Sequence, residues 1–250
     1  MKRTPPRPPQ AILFDLYGTL VPNFPPQEYD AAMVEVAEIL VVDARQFRDQ
    51  WRRRFLKRVH GADGDTASSI RQVLADLGIE VADEILQQAA ARRLQFAREL
   101  LDRSAEALPV LHSLRQLGIP LALVSDCTSE VWELWDEHPL FAAFSARSLS
   151  CELRRRKPAG GNYWHALRQL QAQPERSWYV GDGGSREFTG AQAVGLFTIC
   201  FRQPGSREFV IDEDTSRAEM EIEQLADLLP LVSPDGFLSA DQQEHAEDHQ

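Results

Sequence analysis

Asp15, Ser125, Lys157, Asp182 and Glu187 are the residues of this 250-residue chain whose types and settings could do chemistry together. Each follows an apolar run or the loop that leaves one. Asp15 closes Ala11-Ile12-Leu13-Phe14, Ser125 closes Leu121-Ala122-Leu123-Val124, Asp182 follows Trp178-Tyr179-Val180-Gly181, and Lys157 precedes Pro158 in a connection. A carboxylate can attack, a hydroxyl and an ammonium can hold an anion, and further carboxylates can hold a hard divalent cation. The set therefore fits nucleophilic displacement at an anionic centre. Taken singly, Asp15 and Ser125 could cap helices, Lys157 could be a solvated charge and Asp182 could shape the turn at Gly183-Gly184.

What brings such distant residues together is the alternation of elements. Strand-like runs near 11–14, 121–124, 148, 178–180 and 196–200 are separated by helical patterns, including the Leu111, Leu114, Leu117 stripe ended by Gly118 and helices over 130–137, 187–194 and 219–229. Continuous apolar strands alternating with helices predict an α/β fold, a mostly parallel sheet covered on both faces in three layers. Right-handed crossovers then place all carboxyl ends of the strands on one edge, where the polar residues converge. One stretch breaks the alternation: between about 27 and 102 the periodicity is purely helical, with helices near 27–41, 44–59, 67–77 and 81–102. The chain thus divides into a disordered arm over 1–9, an α/β core of 10–24 and 103–232, an inserted α-helical cap over 25–102 and a flexible acidic tail over 233–250. Because the insertion leaves the sheet just after Asp15, it is placed to close over a substrate.

Composition bounds the partners. Asp and Glu outnumber Lys and Arg by 38 to 27, a formal charge of −11, which repels nucleic acid and anionic membranes, so an anionic substrate needs a local positive pocket. Two basic clusters, Arg52-Arg53-Arg54 with Lys57 and Arg58, and Arg154-Arg155-Arg156 before Lys157, are read first as solvated charge and second as the mouth of such a pocket. Three scattered cysteines suit ordinary buried thiols in a reducing compartment, and the absence of a long apolar run or signal-peptide core gives a cytoplasmic expectation. Trp51 and Phe55, if exposed on the insertion, would permit a homodimer in place of a monomer.

The ordered motifs, D-x-x-G-T-L at Asp15 to Leu20, the serine of Leu123-Val124-Ser125-Asp126, Lys157-Pro158, and G-D-G-x-x-x-E from Gly181 to Glu187, resemble the haloacid dehalogenase superfamily over about 10–232. The resemblance implies a Rossmann-like core with an α-helical cap and a hydrolase, foremost a phosphatase of a small phosphorylated metabolite. It makes Asp15 the nucleophile, braced by Thr19. Ser125, Asp126 and Lys157 become substrate-binding residues, with Lys157 offsetting the charge of Asp15. Mg²⁺ would be held by Asp15, the backbone carbonyl of Tyr17 and Asp182, supported by Glu187. One position departs: the phosphatases of the family carry a second Asp two residues after the nucleophile, and here it is Tyr17. Tyr resembles the metal-independent 2-haloacid dehalogenase branch, whereas the intact Gly181-Asp182 resembles the phosphatases. Loss of a positioned general acid costs about 10²–10⁴ in rate, so a weakly active or purely binding member is a third reading. If a cap arginine grips a substrate carboxylate, Arg45, Arg48 and Arg52 are the candidates.

Overall fold

The computed structural model describes residues 3–23, 25–202 and 212–232. In chain order the elements are β1 (Ala11–Phe14), α1 (Pro26–Leu40), α2 (Ala44–Arg53), α3 (Phe55–Val59), α4 (Thr66–Asp76), α5 (Asp83–Leu101), α6 (Ala107–Gln116), β2 (Leu121–Ser125), α7 (Glu130–Glu133), β3 (Ala146–Leu149), α8 (Ser150–Leu153), α9 (Gly160–Leu170), β4 (Ser177–Gly181), α10 (Glu187–Val194), β5 (Phe197–Phe201), β6 (Met220–Ile222) and α11 (Leu228–Val232). The strands form one sheet in the order β3-β2-β1-β4-β5-β6, every neighbour parallel.

A central parallel strand must be apolar on both faces, and β1 is. Ile12 and Phe14 join one apolar cluster with Leu111 and Leu114 of α6, while Ala11 and Leu13 join another with Tyr163 and Leu167 of α9 and Phe188 of α10. Helices therefore cover both faces of the sheet, a three-layer, Rossmann-like α/β fold. Helices α1, α2, α4 and α5 bury a third cluster of their own, in which Met33, Val36, Phe47, Trp51, Ile70, Val73 and Phe96 meet. Trp51 is buried, its indole donating to the Tyr29 hydroxyl at 2.6 Å, so it is no part of an exposed dimer face; Phe55 is exposed.

Three element expectations are corrected. The helix expected over 44–59 is broken at Arg54 (φ −88°, ψ 1°), whose guanidinium turns inward onto Asp63 at 2.9 and 2.6 Å and Asp76 at 2.6 Å. The helix expected over 130–137 is the single turn α7. The helix expected over 219–229 begins as a strand: β5 has a free edge whose backbone groups need partners, and Met220–Ile222 supplies them with Ile199 paired to Met220. The arm over 1–9 is tethered from residue 3 onward. Prolines deny it regular structure but leave its carbonyls free, so the Trp178 indole donates to the Pro6 carbonyl at 3.0 Å, and Arg3 pairs with Glu219. The expected acidic tail lies outside the described residues.

Candidate active site

The loops leaving β1, β2 and β4 converge at one sheet edge. Asp15 continues the β1 ladder, its amide donating to the Val180 carbonyl at 2.9 Å. The Lys157 loop is fixed from β2: Asp126 accepts from the Lys157 amide at 2.9 Å and from Arg156 Nε at 3.2 Å. Asp126, expected on the substrate, lines the cavity and also braces this loop. Lys157 Nζ then lies 2.5 Å from Asp15 Oδ1 and 2.6 Å from Glu187 Oε2, with all three side chains buried.

Glu187 opens α10 and is the best-held carboxylate of the set. Its Oε2 also accepts from the Tyr179 hydroxyl at 2.6 Å, and its Oε1 from the Gly183 amide at 2.7 Å. Tyr163 donates to the Glu187 carbonyl at 2.8 Å. Neither tyrosine was expected at the site, because in sequence both read as apolar core. Asp182 accepts from the Gly184 amide at 2.9 Å and from Asn23 Nδ2 at 3.3 Å.

Burial pushes the carboxyls up. Asp15 rises to about 6, with Lys157 opposing the shift and Asp182 adding to it; Asp182 also rises to about 6, burial being reinforced by the charge of Glu187. Glu187 rises to about 7, again through burial and against the pull of Lys157. Burial works against the Lys157 ammonium, yet the carboxylates of Asp15, Glu187 and Asp126 outweigh it and hold its pKa well above the ordinary value. Burial also raises Tyr17 well above an ordinary phenol. The phenol is therefore protonated at neutral pH, a hydrogen-bond donor and no base.

Asp15, Asp182 and Glu187 each offer an oxygen within 4.8 Å of the others. With every group ionised, three negative charges face one ammonium, and an all-oxygen donor set with two charges in excess suits a hard divalent cation. The packing around it is tight. A Cβ on Gly18, which has φ +85°, would fall 2.1 Å from Asp182 Oδ2. Gly18→Ala is expected to cost about 1–3 kcal/mol through backbone strain and to displace Asp182. Thermal melts should show both a lower melting temperature and a smaller rise on adding Mg²⁺; an undiminished rise would separate Asp182 from metal binding.

Ser125 and Thr19 are buried, and among the described residues neither hydroxyl has a hydrogen-bond partner. Within the loop that follows Asp15, the Thr19 amide donates to the Leu16 carbonyl at 3.4 Å. Above the sheet edge a cavity of about 590 Å³ is lined by Asp15, Tyr17, Lys157 and Asp182 below and by residues of the helical segment, including Arg52, Arg58 and Arg93. Of the arginines expected at such a place, Arg45 is exposed, and Arg48 and Arg52 pair with Asp30.

With this geometry in place, the comparison with known proteins is decisive on one point: the model of the haloacid dehalogenase-like hydrolases matches residues 9–195. The chain belongs to that family. This haloacid dehalogenase-like hydrolase is 29% identical over 241 residues to a ribulose-1,5-bisphosphate 5-phosphatase of Halopiger xanaduensis, covering 89% of this chain and 99% of that one. It is 27% identical over 128 residues to a glyceraldehyde 3-phosphate phosphatase of Methanopyrus kandleri, a match spanning 51% of this chain and only 55% of that relative. Among solved structures, a 2-haloacid dehalogenase from Pseudomonas syringae pv. Tomato shares the fold with a TM-score of 0.66 at 21% identity, over 89% of this chain and 97% of that one. Among the described residues, no helix is long and apolar enough to cross a membrane.

Proposed function

We propose that this hydrolase is a Mg²⁺-dependent phosphohydrolase acting on a small phosphorylated molecule, with 25–102 as a helical cap over the core. The observation that carries the reading is the charge of the floor: Asp182 adds a carboxylate beside Asp15 that Lys157 does not contact, an arrangement that repels itself unless a cation joins it. The names of the two relatives, both phosphatases of phosphorylated sugars, support it.

Asp15 would attack phosphorus, forming the Oδ–P bond of an aspartyl-phosphate as the bond to the leaving oxygen breaks. Mg²⁺ held by Asp15 and Asp182, with Glu187 beside them, would draw charge off the phosphoryl oxygens. Lys157 orients the nucleophile by its 2.5 Å contact and offsets its charge. The protonated Tyr17 can donate to the leaving oxygen. It is too weak a base to activate water, so the chain lacks at this position the group that would speed hydrolysis of the aspartyl-phosphate.

Tyr17 and the dehalogenase-like fold favour a second reading, metal-independent displacement of halide from a 2-haloacid by the same Asp15. One experiment separates the two: the same preparation is given an aryl phosphate and 2-chloropropionate, each with Mg²⁺ and with EDTA. Phosphate release that disappears in EDTA is expected; chloride release indifferent to EDTA would overturn the proposal.

A further inference from the structure

Two of the three cysteines lie against each other just behind the cavity wall. Ser125 pairs with Leu149 as the last rung between β2 and β3, and a cysteine follows two residues later on each side, Cys127 and Cys151. Ser150 laces the two exits together, its hydroxyl accepting from the Cys127 amide at 3.0 Å and donating to the Cys127 carbonyl at 3.2 Å. The two sulfur atoms are 3.9 Å apart, and Cys151 Sγ also lies 3.6 Å from the carbonyl of Thr128, a residue of the cavity wall. Cys200, by contrast, sits on β5 in the apolar cluster on the other face of the sheet.

A single buried cysteine is accounted for as a small apolar residue; two in contact add a chemistry of their own. The sulfurs of a disulfide are about 2.05 Å apart, so these two need approach by only roughly 2 Å. Neither exit can yield that distance without moving something at the site. Cys127 stands between Asp126, which accepts from the Lys157 amide, and Thr128, and both of these line the cavity. Cys151 opens the connection that leads to Lys157, and its carbonyl meets the helical segment closely: a Cβ on Gly61 would fall 1.8 Å from it. The oxidant that suits so narrow a place is a small one, hydrogen peroxide. Cys151, the more exposed thiol at 7% against 3%, attacks one peroxide oxygen; the S–O bond forms as the O–O bond breaks, and the thiol proton leaves with the departing hydroxide as water. Cys127 then attacks the Cys151 sulfur, the S–S bond forms as the S–O bond breaks, and the second proton leaves with that hydroxide as a second water. Two electrons pass from the thiol pair to the peroxide.

We propose that Cys127 and Cys151 are a disulfide-forming modification site, whose closure by hydrogen peroxide displaces Asp126 and Thr128 and slows turnover, and whose reduction by a thiol restores it. The thiol chemistry does not rest on the phosphohydrolase reading, and its effect is read on whichever of the aryl phosphate and 2-chloropropionate the chain converts.

The test treats the full chain with hydrogen peroxide, removes the excess, and counts free thiols in denaturant beside a proteolytic map and an activity assay. The count should fall from three to one, and the map should join the peptide of Cys127 to that of Cys151. Turnover should fall about 10-fold or more, since a misplacement of about 1 Å near a reacting centre can cost about 10²-fold. Dithiothreitol should return both the thiols and the turnover. Cys127→Ala and Cys151→Ala should each keep the turnover of the untreated chain and lose the fall that peroxide causes. Three thiols surviving the treatment, a bridge to Cys200, a bridged chain with undiminished turnover, or a fall that persists in both alanine variants would overturn the proposal. Turnover of 2-chloropropionate alone, slowed by the bridge, would refute the phosphohydrolase reading and leave the cysteine pair standing.

Discussion

Asp15→Asn lowers turnover of an aryl phosphate by about 10⁴-fold or more, because no other carboxylate can take over the attack. Glu187 has both oxygens engaged, by Gly183, Tyr179 and Lys157, and Asp182 is held by Gly184 and Asn23. The same change does not destabilise the metal-free fold at neutral pH. Burial lifts the Asp15 carboxyl to about 6, above its ordinary value, so the folded chain binds that proton more tightly than the unfolded chain does. An ionised Asp15 therefore weakens the fold as pH rises from about 4 through 6, and Asn relieves this. Steady-state kinetics beside a melt checks both halves, and a loss of less than tenfold in turnover would remove Asp15 from the nucleophile's role.

Lys157→Met has the larger effect on stability. The ammonium is the buried cation between Asp15 and Glu187, and removing one partner of a buried ion pair costs about 3–5 kcal/mol. The sign with pH follows from the carboxyls left behind. Burial already raises Asp15 to about 6 and Glu187 to about 7, and losing Lys157 removes what opposed that rise. Groups with raised folded values hold extra protons in the folded state, so their unfavourable effect is absent below about pH 4 and grows as pH rises through 4–7. Melts of Lys157→Met and the unaltered chain should therefore lie close together in acid and far apart at neutral pH and above. Turnover falls by about 10²–10³-fold at the same time. An equal deficit in acid and at neutral pH would mean that Lys157 stabilises by packing alone.

How far the sequence foretold this site depends on which physical rule places each residue. Asp15, Lys157, Asp182 and Glu187 were legible because parallel strands deliver their carboxyl ends to one edge, whatever the length of chain between them. Lys157 holding Glu187 as closely as Asp15 was not legible, since α10 is aimed by its packing on β4 and β5. Tyr179 reads as one more apolar residue of a buried strand; only the pleat reveals that its hydroxyl emerges beside Glu187. The segment of β6 reads as helix in sequence because pairing with β5, not local pattern, decides its state. Arg58 is visible in sequence only as one of a basic cluster, and Arg93 not at all, for a third reason. In a segment rich in arginine, orientation toward the cavity depends on how α3 and α5 are turned against the Trp51 wall, and periodicity does not carry that information.

The strand order also dictates a timetable for the nascent chain. The strand bearing Asp15 is synthesised before both of its neighbours: Ile12 pairs with Leu121 and Trp178, so its backbone cannot be satisfied until more than a hundred further residues have emerged. The helices from Pro26 to Leu101, by contrast, close their own apolar cluster with nothing later in the chain. Local contacts of that kind form rapidly, whereas β1 pays the loop-closure entropy of joining distant strands. On the ribosome the helical segment is thus able to fold ahead of the sheet that flanks it on both sides, leaving the apolar Ala11–Phe14 run to be shielded until β2 and β4 arrive.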